Sequence, residues 1–280
     1  YYASSPGAIS DFIVIGTGTN NNGVVTNLPG MDNAYATPNS SGLSYFGTPS
    51  APDPGNSGQF AGDAASTWDV RLDSFNSFLG AGNAPVFMFN NNQVSSGAAT
   101  NQSLAVWAAL TLYDDQGGLD PLTFYFTNLN KPYALVGEGG GGTVNGTAGN
   151  GTLGTPTGPI AGTNTATDYV LSGGALCYSA AYAVISCKLP DGSDNPAAVG
   201  GPINHNLGAN QAVYAVVFPA LNNILGTAGF SGYDVLSVDW RMGCDPNTVG
   251  NIVAGDGSVT PGPNCVGRSL NNGYEQLFIT

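Results

Sequence analysis

Phe12-Ile13-Val14-Ile15, followed at once by Gly16-Thr17-Gly18 and the turn tract Asn20-Asn21-Asn22-Gly23, reads as a short buried strand with its stop signal attached. Pro85-Val86-Phe87-Met88-Phe89 repeats the design and halts at Asn90-Asn91-Asn92. Leu122-Thr123-Phe124-Tyr125-Phe126-Thr127, Tyr133-Ala134-Leu135-Val136, the stretch from Tyr178 to Ser186, Val235-Leu236-Ser237-Val238-Asp239-Trp240 and Leu277-Phe278-Ile279 follow the same rule. Each run is rich in β-branched and aromatic residues and is bounded by Gly, Asn, Asp or Pro. The expected fold is therefore all-β: an antiparallel β-sandwich, jelly-roll-like, with long Gly/Asn-rich loops and one or two short helices. The longer helix is expected over Asn210 to Leu225, capped by Asn210, stopped by Gly226, and kinked or divided by Pro219. A shorter one is expected from Ser74 to Leu79.

Composition narrows the function classes. The 280 residues carry 5 Lys+Arg against 18 Asp+Glu, a formal charge of −13, and only 8% of residues are charged. Five scattered cations cannot neutralise a run of phosphates, so no nucleic-acid partner is expected. Glycine is 42 of 280 and asparagine 29, while the acids divide into 16 Asp and 2 Glu (Glu138 and Glu275), which excludes a coiled coil or helical bundle. With 42% hydrophobic residues the chain can build a core. Between Gly137 and Thr167 lies a tract with 11 glycines. It reads as a loop within one domain spanning 1–280, the alternative being a linker between subdomains 1–136 and 168–280. No apolar run approaches the roughly 18 residues of a membrane helix, so no membrane partner is expected. The start, Tyr1-Tyr2-Ala3-Ser4-Ser5-Pro6, lacks a basic-then-apolar leader, and the expectation is a trimmed chain.

Cys177, Cys187, Cys244 and Cys265 form no C-x-x-C pair. Their gaps suggest bridges Cys177–Cys187 and Cys244–Cys265, out of three connectivities, in an oxidising compartment.

Catalytic signals are sparse. The lone His205 sits in a Gly/Asn loop, and Gly55-Asn56-Ser57-Gly58 lacks a preceding histidine to serve as base. One histidine also excludes H-E-x-x-H and three-His zinc sites within the chain. The reading is of a non-enzyme. Paired acids for glycoside hydrolysis are available at Asp114-Asp115 with Asp120, Asp191 with Asp194, and Asp234 with Asp239, although loop aspartates usually serve turns. Calcium is the expected cofactor if any, because carboxylate and amide oxygens on Gly-rich loops are its preferred ligands. Asp114, Asp115 and Asp120 are the leading candidates, with Asp245 and Asp256 second. Asp69-Val70-Arg71-Leu72-Asp73 and Asp239-Trp240-Arg241 place acid and base close together on strands, where structural ion pairs are expected. Asn39-Ser40-Ser41, Asn101-Gln102-Ser103, Asn145-Gly146-Thr147 and Asn150-Gly151-Thr152 fit the N-glycosylation triplet.

The run Asp239-Trp240-Arg241-Met242-Gly243-Cys244-Asp245-Pro246, then Asn264-Cys265 and Arg268-Ser269-Leu270-Asn271-Asn272-Gly273-Tyr274-Glu275-Gln276-Leu277-Phe278-Ile279, resembles bacterial PEP-CTERM sorting-domain proteins. Val86 to Gln93 and Asn210 to Ala215 are similar to upstream segments of that group. The resemblance implies export, removal of a C-terminal anchor by a membrane protease, and residence in the extracellular or cell-surface matrix of a Gram-negative bacterium. The Pro-Glu-Pro motif, hydrophobic helix and basic tail are missing after Thr280, so a processed mature form is expected. The family shares an address rather than an activity, and no catalytic residue carries over.

Three functions follow, in order. The first is a structural, self-associating protein of the biofilm matrix, a filament or sheath subunit whose partner is itself. Its candidate assembly strand is Phe12, Ile13, Val14 and Ile15, set against an ordinary intramolecular first strand. The second is a carbohydrate-binding module that stacks extracellular polysaccharide on Trp68, Trp107 and Trp240. The third is a secreted glycoside hydrolase.

Overall fold

The computed structural model describes residues 13–18, 25–38, 45–55, 57–80, 83–91, 106–127, 143–144, 163–164, 168–172, 176–181, 184–185, 189, 191–203, 212–243, 251–253, 259–261 and 275–280. In chain order the strands are β1 (Ile13–Gly18), β2 (Tyr35–Thr37), β3 (Tyr45–Gly47), β4 (Trp68–Arg71), β5 (Phe87–Asn91), β6 (Val106–Tyr113), β7 (Leu122–Thr127), β8 (Thr143–Val144) and β9 (Thr163–Asn164). They continue with β10 (Asp168–Ser172), β11 (Leu176–Tyr178), β12 (Val184–Ile185), β13 (Gly200–Ile203), β14 (Ala212–Val217), β15 (Val235–Gly243), β16 (Asn251–Val253), β17 (Val259–Pro261) and β18 (Gln276–Ile279). Helix α1 (Leu72–Leu79) follows β4 directly, and α2 (Pro219–Leu225) follows β14. The all-β expectation holds.

Two large sheets share one core. The first runs β2-β1-β18-β5-β14-β10-β8, and the second runs β3-β15-β6-β7-β9 with β4 also on β15. Most pairings are antiparallel, and the parallel pairs β1–β2 and β7–β9 lie at the sheet edges. Each sheet takes strands from both sides of the Gly-rich tract, as in the pairs β5–β14 and β6–β15. Two smaller sheets, β12-β11-β13 and β16-β17, also form among the described residues.

The longest ladder, β6 against β15, sets the core's layout. It runs from Val235 opposite Tyr113 to Met242 opposite Val106. Side chains alternate across a strand, so Val106, Ala108, Leu110 and Leu112 share a face with Leu236, Val238, Trp240 and Met242, all of them in the core. Ala108 is paired with Trp240, a small residue opposite the largest one. From the other sheet come Ile13, Ile15, Phe87, Phe89, Val216, Leu277 and Ile279. Rings bridge the layers: Trp240 meets Phe89 edge-on at 6.3 Å. At β1 a bulge shifts the register between Val14 and Gly16, and Gly16 lies so close to the Trp240 ring that a Cβ there would come within 2.3 Å of Cζ3.

Beside the bulge, before the β1–β2 pairing begins at Gly16, the Asn27 side chain bonds the Val14 backbone. Its side-chain Oδ1 accepts from Val14 N at 3.0 Å, while Nδ2 donates to Val14 O at 2.7 Å and Asp32 O at 2.6 Å. One amide thus replaces a strand neighbour. Asn27→Ala should cost about 2 kcal/mol, since it strands backbone groups of the buried Val14. A urea-denaturation midpoint equal to wild type would mean that these groups find other partners.

Several sequence expectations need correction. Asn210–Leu225 is not one helix: Ala212–Val217 is strand β14, and Pro219 opens α2 instead of kinking it. Proline suits the first helical position because that N–H has no intrahelical acceptor. Tyr178–Ser186 is not one strand either. Tyr178 pairs with Val184 across an antiparallel β11–β12 connection. The short helix begins at Leu72, two residues before the expected Ser74, and buries Leu72, Phe75 and Leu79. Ile13, Val14 and Ile15 of the candidate assembly strand are buried within their own chain, with β18 on one edge of β1 and β2 on the other. Phe12, Tyr133–Val136, His205 and the four glycosylation triplets fall outside the described residues.

Candidate metal centre

The residues first expected to bind calcium are otherwise engaged. Asp114, Asp115 and Asp234 do bring carboxylate oxygens within 4.8 Å of one another. A guanidinium already occupies that corner. Arg71 Nη1 lies 2.5 Å from Asp115 Oδ2, and Arg71 Nη2 lies 3.6 Å from Asp234 Oδ1. The Asp114 carboxylate accepts the Gln116 and Gly118 backbone N–H groups at 2.8 and 2.7 Å, a loop-closing role. Asp120 contributes no carboxylate to the group; its backbone carbonyl accepts from Tyr233 Oη. The Gln116 side-chain hydrogen bond, aided by Arg71, holds the Asp115 carboxyl below its ordinary range. Desolvation and the neighbouring Asp115 charge push that of Asp234 upward. Asp245 and Asp256 lie outside the described residues.

The expected strand ion pairs are partly as read. Arg241 pairs with Asp239 at 2.5 Å. Arg71, by contrast, reaches across to Asp115 and Asp234 instead of its sequence neighbours Asp69 and Asp73. Asp191 accepts from both N and Oγ of Ser193, which lowers its pKa and closes an exposed turn.

A second carboxylate group, absent from the sequence reading, lies where β4 meets the segment before β2. Met31 bridges Val70 in antiparallel fashion, Arg71 N donates to Gly30 O at 2.8 Å, and Asp32 N donates to Asp69 O at 2.9 Å. This short ladder sets Asp32 beside Asp69, and Asp32 Oδ2 accepts the Asp69 N–H at 2.7 Å. The loop ahead of β4 brings in Asp63, so that Asp32, Asp63 and Asp69 place one carboxylate oxygen each within 4.8 Å of the others. Asp32 and Asp69 are 0% exposed. Asp69 is well supplied with donors, from Ala64 N at 2.8 Å and Thr67 Oγ1 at 3.1 and 3.2 Å. Asp63 Oδ2 accepts Gln59 N at 2.7 Å. Asp32 Oδ1 and Asp63 Oδ1 are buried and take no hydrogen bond. Among the described residues no cationic side chain pairs with any of the three. Burial is the chief reason the Asp32 carboxyl is pushed up to about 8, with the Asp63, Asp69 and Asp53 charges adding to it. Burial likewise raises Asp69 to about 6.

The tryptophans expected to stack on glycan are placed differently. Trp68 and Trp240 are 0% exposed and cannot present a ring to a sugar. Trp68 Nε1 donates to Asp32 O at 3.1 Å, tying the carboxylate group to the core. The Trp107 side chain lies outside the described residues. Cys177 is buried and disulfide-bonded; Cys187, Cys244 and Cys265 lie outside the described residues. Among the described residues no helix is long and apolar enough to cross a membrane.

A family model described as a domain of unknown function (DUF8239) matches residues 1–241. No curated protein and no solved structure matches the chain.

Proposed function

We propose that this chain, which belongs to the DUF8239 family, is a structural, self-associating subunit of a bacterial extracellular matrix, a filament or sheath component. The observation that carries this reading is the inward placement of Trp68 and Trp240. It takes two of the three stacking platforms from the glycan-binding alternative, which then rests on Trp107. The rest of the support is compositional. With 8% charged residues and 29 asparagines, the chain offers hydrogen-bonding surface with little charge per unit area. The C-terminal resemblance to PEP-CTERM proteins supplies the address. The hydrolase alternative loses ground at Asp234 and Asp239, each of which faces an arginine.

Negative-stain electron microscopy of the size-excluded chain, with and without millimolar Ca²⁺, tests assembly directly. Regular filaments or sheets are expected. Stable monomers in both conditions would overturn the reading, and retention on extracellular polysaccharide would then favour a binding module.

A further inference from the structure

We propose that Asp32, Asp63 and Asp69 form a binding site for one calcium ion, with Asp53 lending a further negative charge at its rim. The inference is independent of the assembly reading. Three features carry it together. The carboxylate oxygens lie within 4.8 Å of one another, about twice a Ca²⁺–oxygen distance of roughly 2.4 Å, so a single ion can touch all three. Asp32 is 0% exposed, yet its Oδ1 takes no hydrogen bond, and Asp63 Oδ1 is buried in the same condition. A buried carboxylate oxygen without a partner is costly unless something positive meets it, and among the described residues no Lys or Arg side chain does. The third feature is space. A Cβ at Gly55 would stand 2.6 Å from Asp32 Oδ1 and 3.5 Å from Asp53 Oδ1, so the loop keeps a glycine where any side chain would crowd the free oxygen.

The neighbouring acidic group makes a useful contrast. Asp115 and Asp234 pair with Arg71, and Asp114 accepts the Gln116 and Gly118 backbone N–H groups, so their charge is met by protein. Asp32, Asp63 and Asp69 present carboxylate oxygens with no cationic side chain among the described residues to meet them, two from the β4 pairing and one from the loop ahead of it. This matches calcium, which takes 6–8 oxygen ligands in flexible geometry, better than magnesium, which demands a tighter octahedron at about 2.1 Å. Main-chain oxygens and water would complete the shell. Bound there, the ion would fasten the loop carrying Asp53 and Asp63 to β4.

The test uses the whole chain, stripped with EDTA and titrated with CaCl₂ alone and MgCl₂ alone by calorimetry, with thermal unfolding followed in parallel. One Ca²⁺ per chain is expected. The unfolding midpoint should rise by roughly 5–10 °C at a hundredfold excess over Kd, and Mg²⁺ should act far more weakly. Asp63→Asn and Asp32→Asn should each bind calcium at least tenfold more weakly and lose the rise, whereas Asp114→Asn should bind like wild type. Asp32→Asn replaces a desolvated ionisable carboxyl with a neutral amide that can still accept the Asp69 N–H, so without metal it should melt no lower than stripped wild type, which keeps the test decisive if Asp63→Asn folds poorly. Folded wild type that takes up no calcium would overturn the proposal. So would Asp32→Asn and Asp63→Asn proteins that bind as wild type does, or loss of binding in Asp114→Asn alone.

Discussion

Trp240→Ala should lower the free energy of unfolding by about 4 kcal/mol, within the usual range for deleting a buried aromatic ring. The ring is 0% exposed. It meets Phe46 edge-on at 5.1 Å and Phe89 at 6.3 Å, and lies opposite Ala108 on β6. Three sides of the site are thus formed by residues whose positions are fixed by sheet register, so the cavity cannot collapse and most of its cost persists. The milder Trp240→Phe variant sharpens the prediction. Trp240 Nε1 is buried without a hydrogen bond, so phenylalanine removes an unsatisfied donor along with part of the ring. Trp68→Phe discards a made bond, the one to Asp32 O. Chemical denaturation should therefore rank Trp240→Phe as the less damaging of the two phenylalanine variants. The reverse order would mean that the Trp240 indole N–H is satisfied in solution.

The second large effect concerns pH. Glu275 precedes β18 with 0% exposure, and its backbone carbonyl accepts from Thr37 Oγ1 at 2.8 Å. Desolvation pushes its carboxyl from 4.5 up to about 7. The folded chain therefore holds this proton after the unfolded chain has released it. Its contribution to stability is fully present below pH 4.5 and is lost as pH rises to about 7, a decline of about 3 kcal/mol in all. Glu275→Gln, a stand-in for the protonated acid, should not show that decline. The measurement is the difference between wild-type and Glu275→Gln unfolding free energies at pH 4, 6 and 8. Subtraction cancels contributions from the other buried carboxyls. A constant difference across the series would show that Glu275 titrates alike in the folded and unfolded chains.

What could be read from the sequence follows how each strand is buried. Val14, Met88 and Phe278 are buried on the face opposite Ile13, Phe87 and Leu277. Strands covered on both faces are spelled as continuous apolar runs, and those runs were legible. Strand β6, Val106-Trp107-Ala108-Ala109-Leu110-Thr111-Leu112-Tyr113, was not, because its alanines carry no strand preference. Ala108 is small for a reason three-dimensional register alone supplies, namely that Trp240 sits opposite. The stretch Asn210–Leu225 looked continuous because strand and helix abut at Phe218 with apolar residues on either side.

The candidate metal centre was the least legible part. Asp114, Asp115 and Asp120 are close in sequence, yet local spacing of aspartates in a Gly-rich loop is what turn closure produces. Asp32 and Asp69 are brought together by the pairing of Met31 with Val70, which no spacing rule encodes. The available hint was the closeness in sequence of Asp53, Asp63 and Asp69, the first two of them beside Gly55 and Gly62.

The position of β18 has a consequence for how the chain becomes a fold at all. This four-residue strand fills the slot between β1 and β5, so the earliest described strand closes its sheet against the last one. The family match stops at residue 241, inside β15. The cooperative unit therefore extends past the matched segment, and a piece cut there would keep an open seam along β1 and β5. During synthesis the same seam stays open until β18 leaves the ribosome, since loop closure between distant segments must precede their pairing. The seam is also an address: a separate peptide carrying Glu275 to Thr280 would be the natural reagent to complement a chain that lacks β18.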